Sequence, residues 1–236
     1  MRLREALDSP ESKRRYVRHL FSTIADRYDL ITVLLSGGLD RRWKARLIDR
    51  IDWSRRPHVL DLACGTGDIA IAAAAKGGRA VGLDITHRML QLAARKPQAG
   101  PRVAFVTGDM MALPFPDAAF DVITTGYGLR NVPDLNGALS EMHRVLRPGG
   151  RMLALDFDRP ASAAVRTVYL LYLTVVGSTL GFVLHGDPDT YRYIPESIRR
   201  YPGAAGVSRL ATSAGFAECH HVPVLGGLMA MHSARK

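Results

Sequence analysis

The stretch VLDLACGTGDIA, residues 59–70, constrains the fold of this chain more than any other segment. A short apolar run predicts a buried strand, and Gly65, Gly67 and Ala70 follow it with G-x-G-x-x-G/A spacing. Glycines between a strand and a helix let the backbone approach a bound nucleotide closely. The loop therefore predicts a nucleotide-containing cofactor, but the loop alone does not say which one.

The pattern around this loop predicts the fold class. Strands and helices alternate from residue 58 to residue 157, which favours a parallel sheet with helices on both faces. The last segment predicts a helix and two strands joined at Gly226 and Gly227. We therefore predict an α/β fold with a Rossmann-like, mostly parallel sheet, a C-terminal antiparallel hairpin and an N-terminal helical cap.

The same pattern predicts a single domain with four parts. They are a helical cap over 1–50, a cofactor-binding core over 51–157, a substrate or lid insertion over 158–206, and a C-terminal helix and hairpin over 207–236. Within the cap, the spacing of apolar residues predicts one helix from residue 11 to residue 31 and another after the break at residues 36–38.

Three carboxylates near the loop decide between cofactors. Asp61 lies on the first strand, Asp84 ends the second, and Asp109 follows the third, next to Met110. Such a group repels a pyrophosphate but suits a cationic ligand, and a carboxylate at the end of the second strand accepts hydrogen bonds from a ribose. No second glycine fingerprint follows, as an NAD fold would require. These residues predict S-adenosylmethionine rather than NAD.

Composition and charge limit the possible binding partners of the protein only in part. The 236 residues carry a net charge of +10, which favours polyanionic partners such as nucleic acid or anionic lipid, or reflects a basic proteome. Cys64 and Cys219 form no C-x-x-C pair, so we expect no metal site and no disulfide scaffold. The N-terminal stretch MRLREALDSPESKRR lacks the apolar core of a secretory signal, which predicts a cytoplasmic protein.

Residues 167–184 carry no charge and have about the length of a short membrane span. Because this run contains Gly177 and Gly181 and lies late in an α/β pattern, we predict a buried or membrane-surface helix, broken near Gly177, rather than a span.

Three strings narrow the family. They are FSTIADRYDLITVLLSGGLDRRWK at 21–44, YGLRNVPD at 127–134 and YRYIPESIRRYPG at 191–203. Together they resemble the signatures of the ubiquinone/menaquinone biosynthesis C-methyltransferases, which are class I S-adenosylmethionine methyltransferases. The resemblance implies a prenylated quinol substrate that is methylated at a ring carbon. It also implies that Thr66, Asp84, Asp109 and Met110 contact the cofactor. Gly126 departs from the pattern, since relatives often have serine there.

The resemblance and the chemistry together suggest five residues for the reaction. Arg130 is the leading candidate to stabilise a phenolate, or it forms a structural ion pair. Asn131 hydrogen-bonds substrate or makes a turn, and Asp29 is a base or a helix cap. Tyr28 comes from the cap beside Asp29, and Tyr191 is a hydroxyl donor or a packing residue.

Several alternatives stay open at this point. The basic cap residues meet anionic lipid or form a solvated face; they are Lys13, Arg14, Arg15, Arg41, Arg42, Lys44 and Arg46. Rival functions are an RNA methyltransferase, a non-catalytic S-adenosylmethionine-binding protein, and a methyltransferase for another small aromatic acceptor. We expect no nucleic-acid partner, and we treat peripheral membrane contact and a homodimer as hypotheses. The sequence does not choose between menaquinone and ubiquinone.

Overall fold

The computed structural model describes residue 3 and residues 7–236, so residues 1–2 and 4–6 of the predicted cap lie outside the described part. The cap contains α1 (Pro10–Ile24), α2 (Tyr28–Ser36) and α3 (Asp40–Ile48). The prediction of one helix through residue 31 is wrong, because a 3₁₀ turn at Ala25–Arg27 separates α1 from α2. Gly37 ends α2 in the left-handed conformation, with φ of 58°.

A seven-stranded sheet follows the cap, in the order β3-β2-β1-β4-β5-β7-β6. The first five strands pair in parallel, and the last two form an antiparallel hairpin against β5. This topology confirms the predicted fold class. The strands are β1 (His58–Leu62), β2 (Arg79–Asp84), β3 (Val103–Thr107), β4 (Phe120–Gly126), β5 (Leu146–Phe157), β6 (Ala217–Val224) and β7 (Met229–Arg235).

Helices cover both faces of the sheet and bury two large apolar clusters against it. The strand order reverses between β1 and β4, and ligands of open α/β sheets bind at the carboxyl ends of the strands at such a point. The remaining helices are α4 (Asp68–Ala75), α5 (His87–Ala94), α6 (Leu135–Val145), α7 (Ala163–His185), α8 (Tyr193–Arg200) and α9 (Gly203–Ser213).

Helix α7 differs from its prediction in two ways. It runs unbroken through Gly177, where a Cβ atom would lie 3.2 Å from the Tyr191 carbonyl oxygen, so this glycine serves close packing rather than a break. Its most apolar 18-residue window is only 22% buried, so of the two predicted alternatives the buried helix is wrong, while the membrane-surface helix stays a prediction. Among the described residues, α7 is the one helix whose length and composition would suffice to cross a membrane.

Candidate active site

The glycine loop and Asp84 form one hydrogen-bonded unit at the carboxyl end of β2. Gly65 and Gly67 have φ of 54° and 82°, and a Cβ on Gly67 would lie 2.9 Å from the Phe105 ring. One Asp84 oxygen accepts from the Gly65 N–H and the other from the Thr86 N–H, both at 2.8 Å. Burial raises the pKa of Asp84 despite these amide hydrogen bonds. The carboxylate therefore fixes the loop and still has lone pairs for a ribose.

A narrow cavity of about 80 Å³ lies beside this unit, and it is lined by four of the predicted cofactor residues, Gly65, Asp84, Asp109 and Met110. Asp109 Oδ1 accepts from a backbone N–H at 2.9 Å, and its Oδ2 lies 3.4 Å from Arg14 Nε. Two carboxylates thus line the cavity, and Arg14 is the one basic side chain among its described lining residues, so these residues do not form a cluster of phosphate-binding cations. These residues fit S-adenosylmethionine.

Three predicted cofactor residues do not line this cavity: Asp61, Thr66 and Gly67. Asp61 is 1% exposed and accepts from the Thr124 hydroxyl at 2.8 Å, while its other oxygen has no partner among the described groups. Burial raises the pKa of Asp61 to about 7. The Thr66 hydroxyl donates to Asp29 at 2.5 Å instead of facing the cavity. Of the three predicted acids, Asp84 and Asp109 line the cavity and Asp61 does not; their contact with the cofactor stays a prediction.

Asp29 belongs to a chain of ion pairs rather than to either cavity. Its side chain is 52% exposed, and its Oδ2 lies 2.9 Å from Lys96 Nζ. Lys96 also pairs with Asp68 at 2.7 Å, and Lys44 bridges Asp68 at 3.0 Å and Asp40 at 2.7 Å. The structure thus gives Asp29 the role of joining α2 to the glycine loop and α4, and does not support it as a base.

A second, apolar cavity of about 850 Å³ lies between the cap helices and α7. We call it the apolar cavity, and we call the narrow cavity beside the glycine loop the cofactor cavity. Both are lined by Phe21, Tyr28 and Tyr127, so these three aromatic side chains form the boundary between the two cavities. Tyr127 has φ of 63°, a conformation that a bulky residue adopts only when its surroundings enforce it. Sequence reasoning did not single out Phe21 or Tyr127.

Arg130 lies in the wall of the apolar cavity and pairs with a buried acid. Its Nη1 donates to Asp156 Oδ1 at 2.8 Å and to the Tyr127 carbonyl oxygen at 2.7 Å. Its Cζ lies 4.7 Å from the centroid of the Phe157 ring, while its Nε has no partner among the described groups. Burial alone would lower the pKa of Arg130, but Asp156 raises it. The predicted ion pair exists, and the same guanidinium is a permanent cation beside an apolar space.

Polar side chains from the 191–203 string reach the same region. Asn131 donates through Nδ2 to the Tyr127 carbonyl at 2.9 Å and accepts from the Tyr193 hydroxyl at 3.0 Å. The Tyr191 hydroxyl lies 2.9 Å from His185 Nε2, and Tyr191 lines the apolar cavity. Burial raises the pKa of both tyrosines. Tyr193 was missed, although it stands two positions after a predicted residue.

Lys13 holds the turn that carries Arg130. Its Nζ donates to the Arg130 carbonyl at 3.1 Å and to the Val132 carbonyl at 2.6 Å. Burial, followed by the charge of Arg130, lowers the pKa of Lys13 to about 8. Lys13 and Lys44 thus engage groups of the protein itself, and Arg14 lies near Asp109 with a side chain that is 56% exposed. Contact of the basic cap with lipid stays a prediction. Arg15, Arg41, Arg42 and Arg46 remain exposed.

The chain has this sheet order, a glycine loop after β1, Asp84 at the end of β2 and Asp109 after β3. These features define a class I S-adenosylmethionine-dependent methyltransferase. The sequence profile of the ubiE/COQ5 methyltransferase family matches residues 9–236. The chain belongs to this family, and its cofactor is S-adenosylmethionine. The described residues contain no group of three or more His, Cys, Asp or Glu side chains placed to bind a metal ion.

Named relatives and a solved structure agree with this assignment. The chain is 41% identical over 210 residues to the demethylmenaquinone methyltransferase of Thermus thermophilus, covering 88% of this chain and 96% of the relative. It is 42% identical over 235 residues to the ubiquinone/menaquinone biosynthesis C-methyltransferase UbiE of Methylobacterium nodulans, covering 96% and 92%. An S-adenosylmethionine-dependent methyltransferase from Thermotoga maritima, a possible histamine N-methyltransferase, has the same fold, with a TM-score of 0.66, 16% identity and coverage of 92% and 99%.

Proposed function

We propose that this enzyme methylates a ring carbon of a prenylated quinol, converting demethylmenaquinol to menaquinol, or acting on the corresponding benzoquinol of ubiquinone synthesis, or both. The observation that carries the proposal is the large apolar cavity that meets the cofactor cavity at Phe21, Tyr28 and Tyr127. An aromatic ring at this boundary would face the methyl donor, and a prenyl tail would fill the apolar space. The names of the relatives support the same substrate class.

S-adenosylmethionine supplies an electrophilic methyl group when bound. Gly65, Asp84, Asp109 and Met110 would hold it, with Asp84 accepting from the ribose hydroxyls and Asp109 from the adenine amino group. The ring carbon of the quinol becomes nucleophilic when a phenolic hydroxyl releases its proton to solvent, and after methyl transfer the same carbon releases its hydrogen as a second proton, which restores the aromatic ring. Arg130 cannot accept the phenolic proton, because a guanidinium stays charged, but it stabilises the phenolate electrostatically in a dry environment.

The other side chains orient the ring and exclude water. Tyr28 and Tyr127 close the boundary between the cavities, and exclusion of water strengthens the attraction between Arg130 and a phenolate. Asn131 is held by the Tyr193 hydroxyl and lies at the cofactor side. Tyr191 offers a hydroxyl from the lining of the apolar cavity, where it lies 2.9 Å from His185 Nε2. The proposed catalytic set is therefore Arg130, Asn131, Tyr28 and Tyr191. Asp29 is not part of it, because its carboxylate is engaged by Lys96 and Thr66.

Mass spectrometry of the quinones in a strain that lacks this protein tests the proposal. Accumulation of a demethylated menaquinone or of a demethylated ubiquinone precursor is expected, and the ring that accumulates identifies the substrate. The purified enzyme should then methylate the corresponding quinol with S-adenosylmethionine. An unchanged quinone profile would instead favour another small aromatic acceptor.

We further propose a cytoplasmic enzyme with peripheral membrane contact, since a prenylated quinol resides in the bilayer. The net charge of +10 is compatible with an anionic surface. The homodimer, the lack of a nucleic-acid partner and the division into a cap, a core, an insertion and a C-terminal unit stay predictions. Gel filtration with light scattering, and binding assays with structured RNA, would test the first two.

A further inference from the structure

Apolar side chains are exposed on two helices that line the apolar cavity. On α7 the exposed fractions reach 69% for Val168, 66% for Phe182 and 70% for Val183. On α2, half of Leu30 and half of Leu34 are exposed. Together with Leu225, which lies in the turn between β6 and β7, we call these side chains the apolar rim; the rim consists of Leu30, Val33, Leu34, Val165, Val168, Leu171, Tyr172, Val175, Phe182, Val183 and Leu225.

Helix α7 has two apolar faces with different surroundings. Leu170, Leu173, Gly177 and Gly181 are buried along one face, where a Cβ on Gly181 would lie 2.5 Å from the Asp187 carbonyl oxygen. The other face carries the rim residues at helical spacing and no charged side chain between residues 167 and 184. Because one face packs lengthwise on the domain, α7 is suited to lie on an apolar surface rather than to cross a bilayer.

The rim is continuous with the interior of the apolar cavity. Val165, Val168, Tyr172 and Leu225 are at least 47% exposed and also line that cavity. On α2, neighbouring side chains such as Thr32 line the cavity while the rim residues face outward. An apolar path thus leads from the outside of the molecule to the boundary with the cofactor cavity.

Charge favours a bilayer over a second copy of the chain as the partner of this rim. Arg41 and Arg42 are exposed just after α2, and Arg166 lies in the first turn of α7. Two copies that met through the rim would bring these like charges together within a molecule of net charge +10. An anionic membrane would instead place its phosphates beside the arginines and its acyl chains beside the rim.

We propose that the apolar rim docks on an anionic bilayer at the boundary between headgroups and acyl chains, so that the apolar cavity opens into lipid. A prenyl tail then passes from the bilayer into the cavity without crossing water. The passage of a prenyl tail rests on the proposed quinol substrate, whereas docking of the rim on a bilayer does not depend on that substrate. Docking through apolar side chains differs from attachment of the basic cap, because it persists in salt.

Co-sedimentation with vesicles tests the docking surface, using the full chain and vesicles of phosphatidylcholine with or without phosphatidylglycerol. Leu171 and Phe182 belong to the rim but do not line the cavity, so the double variant Leu171→Glu, Phe182→Glu changes the surface alone. Its vesicle affinity should fall by about tenfold or more. Val222→Glu is the matched control, because Val222 is 43% exposed and lines no described cavity, and it should bind as the unsubstituted chain does.

The outcomes separate the alternatives. Binding that survives high salt in the unsubstituted chain and is lost in the double variant supports the proposal. Binding abolished by salt, equal binding of the double variant, or no vesicle binding at all would overturn it. So would a lipid-free dimer that the double variant dissociates in light scattering.

Activity measured on two substrates separates this proposal from the proposed function. The double variant should methylate a tailless, water-soluble quinol normally and a long-tailed quinol in vesicles slowly. Equal loss on both substrates would overturn the docking route. If the unsubstituted enzyme methylates neither quinol, the proposed function fails while the vesicle-binding result still stands.

Discussion

Replacement of Arg130 by alanine should have two separable effects, because Arg130 serves the fold and faces the apolar cavity. Its Nη1 lies 2.8 Å from Asp156 Oδ1, and the two side chains are 6% and 0% exposed. Asp156 also accepts from the Phe157 N–H at 2.8 Å, so its carboxylate stays in place when the guanidinium is removed. The variant therefore leaves a buried, uncompensated charge.

The size of each effect follows from this burial. Breaking a buried pair by removing one partner costs about 3–5 kcal/mol. For a chain of this length each kcal/mol lowers the Tm by roughly 2–4 °C, so we expect a decrease of about 6–20 °C. If the guanidinium stabilises a phenolate, the single-turnover rate should fall by roughly 10²- to 10³-fold, while cofactor affinity hardly changes.

A second substitution distinguishes the two roles. In Arg130→Ala, Asp156→Asn the buried charge is gone, so much of the lost stability should return while the methylation rate stays low. Arg130→Lys keeps the charge without the planar fork and should be partly active. Arg235→Ala is the control for loss of an ordinary arginine, since its pair with Glu218 is half exposed and contributes at most about 1 kcal/mol.

Denaturant unfolding and single-turnover methyl transfer to demethylmenaquinol, on the same preparations, give both quantities. A destabilised Arg130→Ala with an undiminished rate would show that Arg130 only supports the fold. Recovery of the rate together with stability in the double variant would lead to the same conclusion.

Three further predictions concern other parts of the molecule. Asp84→Ala should weaken S-adenosylhomocysteine binding by about 2–3 kcal/mol in calorimetry, whereas Asp52→Ala, which removes an exposed acid that caps a turn, should not. Lys13→Met leaves two carbonyls of the Arg130 turn without their donor, so kcat should fall roughly 10- to 100-fold while the affinity for S-adenosylhomocysteine stays unchanged. A loss of affinity as large as the loss of kcat would contradict a positioning role. Burial, then His221, lowers the pKa of His232 from 6.5 to about 4, so the folded state keeps a neutral ring that the unfolded chain protonates first. The free energy of unfolding should therefore fall by about 3 kcal/mol as the pH drops from 6.5 to 4, and urea titrations of His232→Leu should lack this component.

The parts of the site that the sequence predicts are those that local spacing fixes. Asp84 is the last residue of a parallel strand, Gly65 and Asp109 follow two others within three residues, and the strand ends of such a sheet meet at one edge. The same rule could have identified Asp156 near the end of β5, beside β4. The position of Asp156 near a strand end therefore carries the sequence signal for the partner of Arg130.

The features that the sequence did not predict depend on helix directions and on contacts between residues far apart in the chain. Asp29 faces the glycine loop because the 3₁₀ turn at Ala25–Arg27 reorients α2, and apolar periodicity continued across that turn. Lys13 contacts a turn 117 positions later, and no local pattern encodes such a contact. The exposed face of α7 has the same composition as a buried helix, so only the packing of its neighbours distinguishes the two.

The cap is held to the core by contacts of unequal strength. Lys44 is 12% exposed and pairs with Asp40 of its own helix and with Asp68 of α4, whose side chain is 38% exposed, so a partly buried pair joins α3 to α4. Trp43, Leu47 and Ile48 of α3 are also buried in an apolar cluster of the core. The pairs Asp29–Lys96 and Arg14–Asp109 involve side chains that are 52% and 56% exposed, and such pairs contribute about 0–1 kcal/mol each. Helices α1 and α2 are held mainly by other contacts: Lys13 of α1 donates to two carbonyls of the Arg130 turn, and both helices bury side chains in one apolar cluster with Met89, Tyr191 and Tyr193. Because the same helices carry Phe21 and Tyr28, these contacts also fix the boundary between the two cavities.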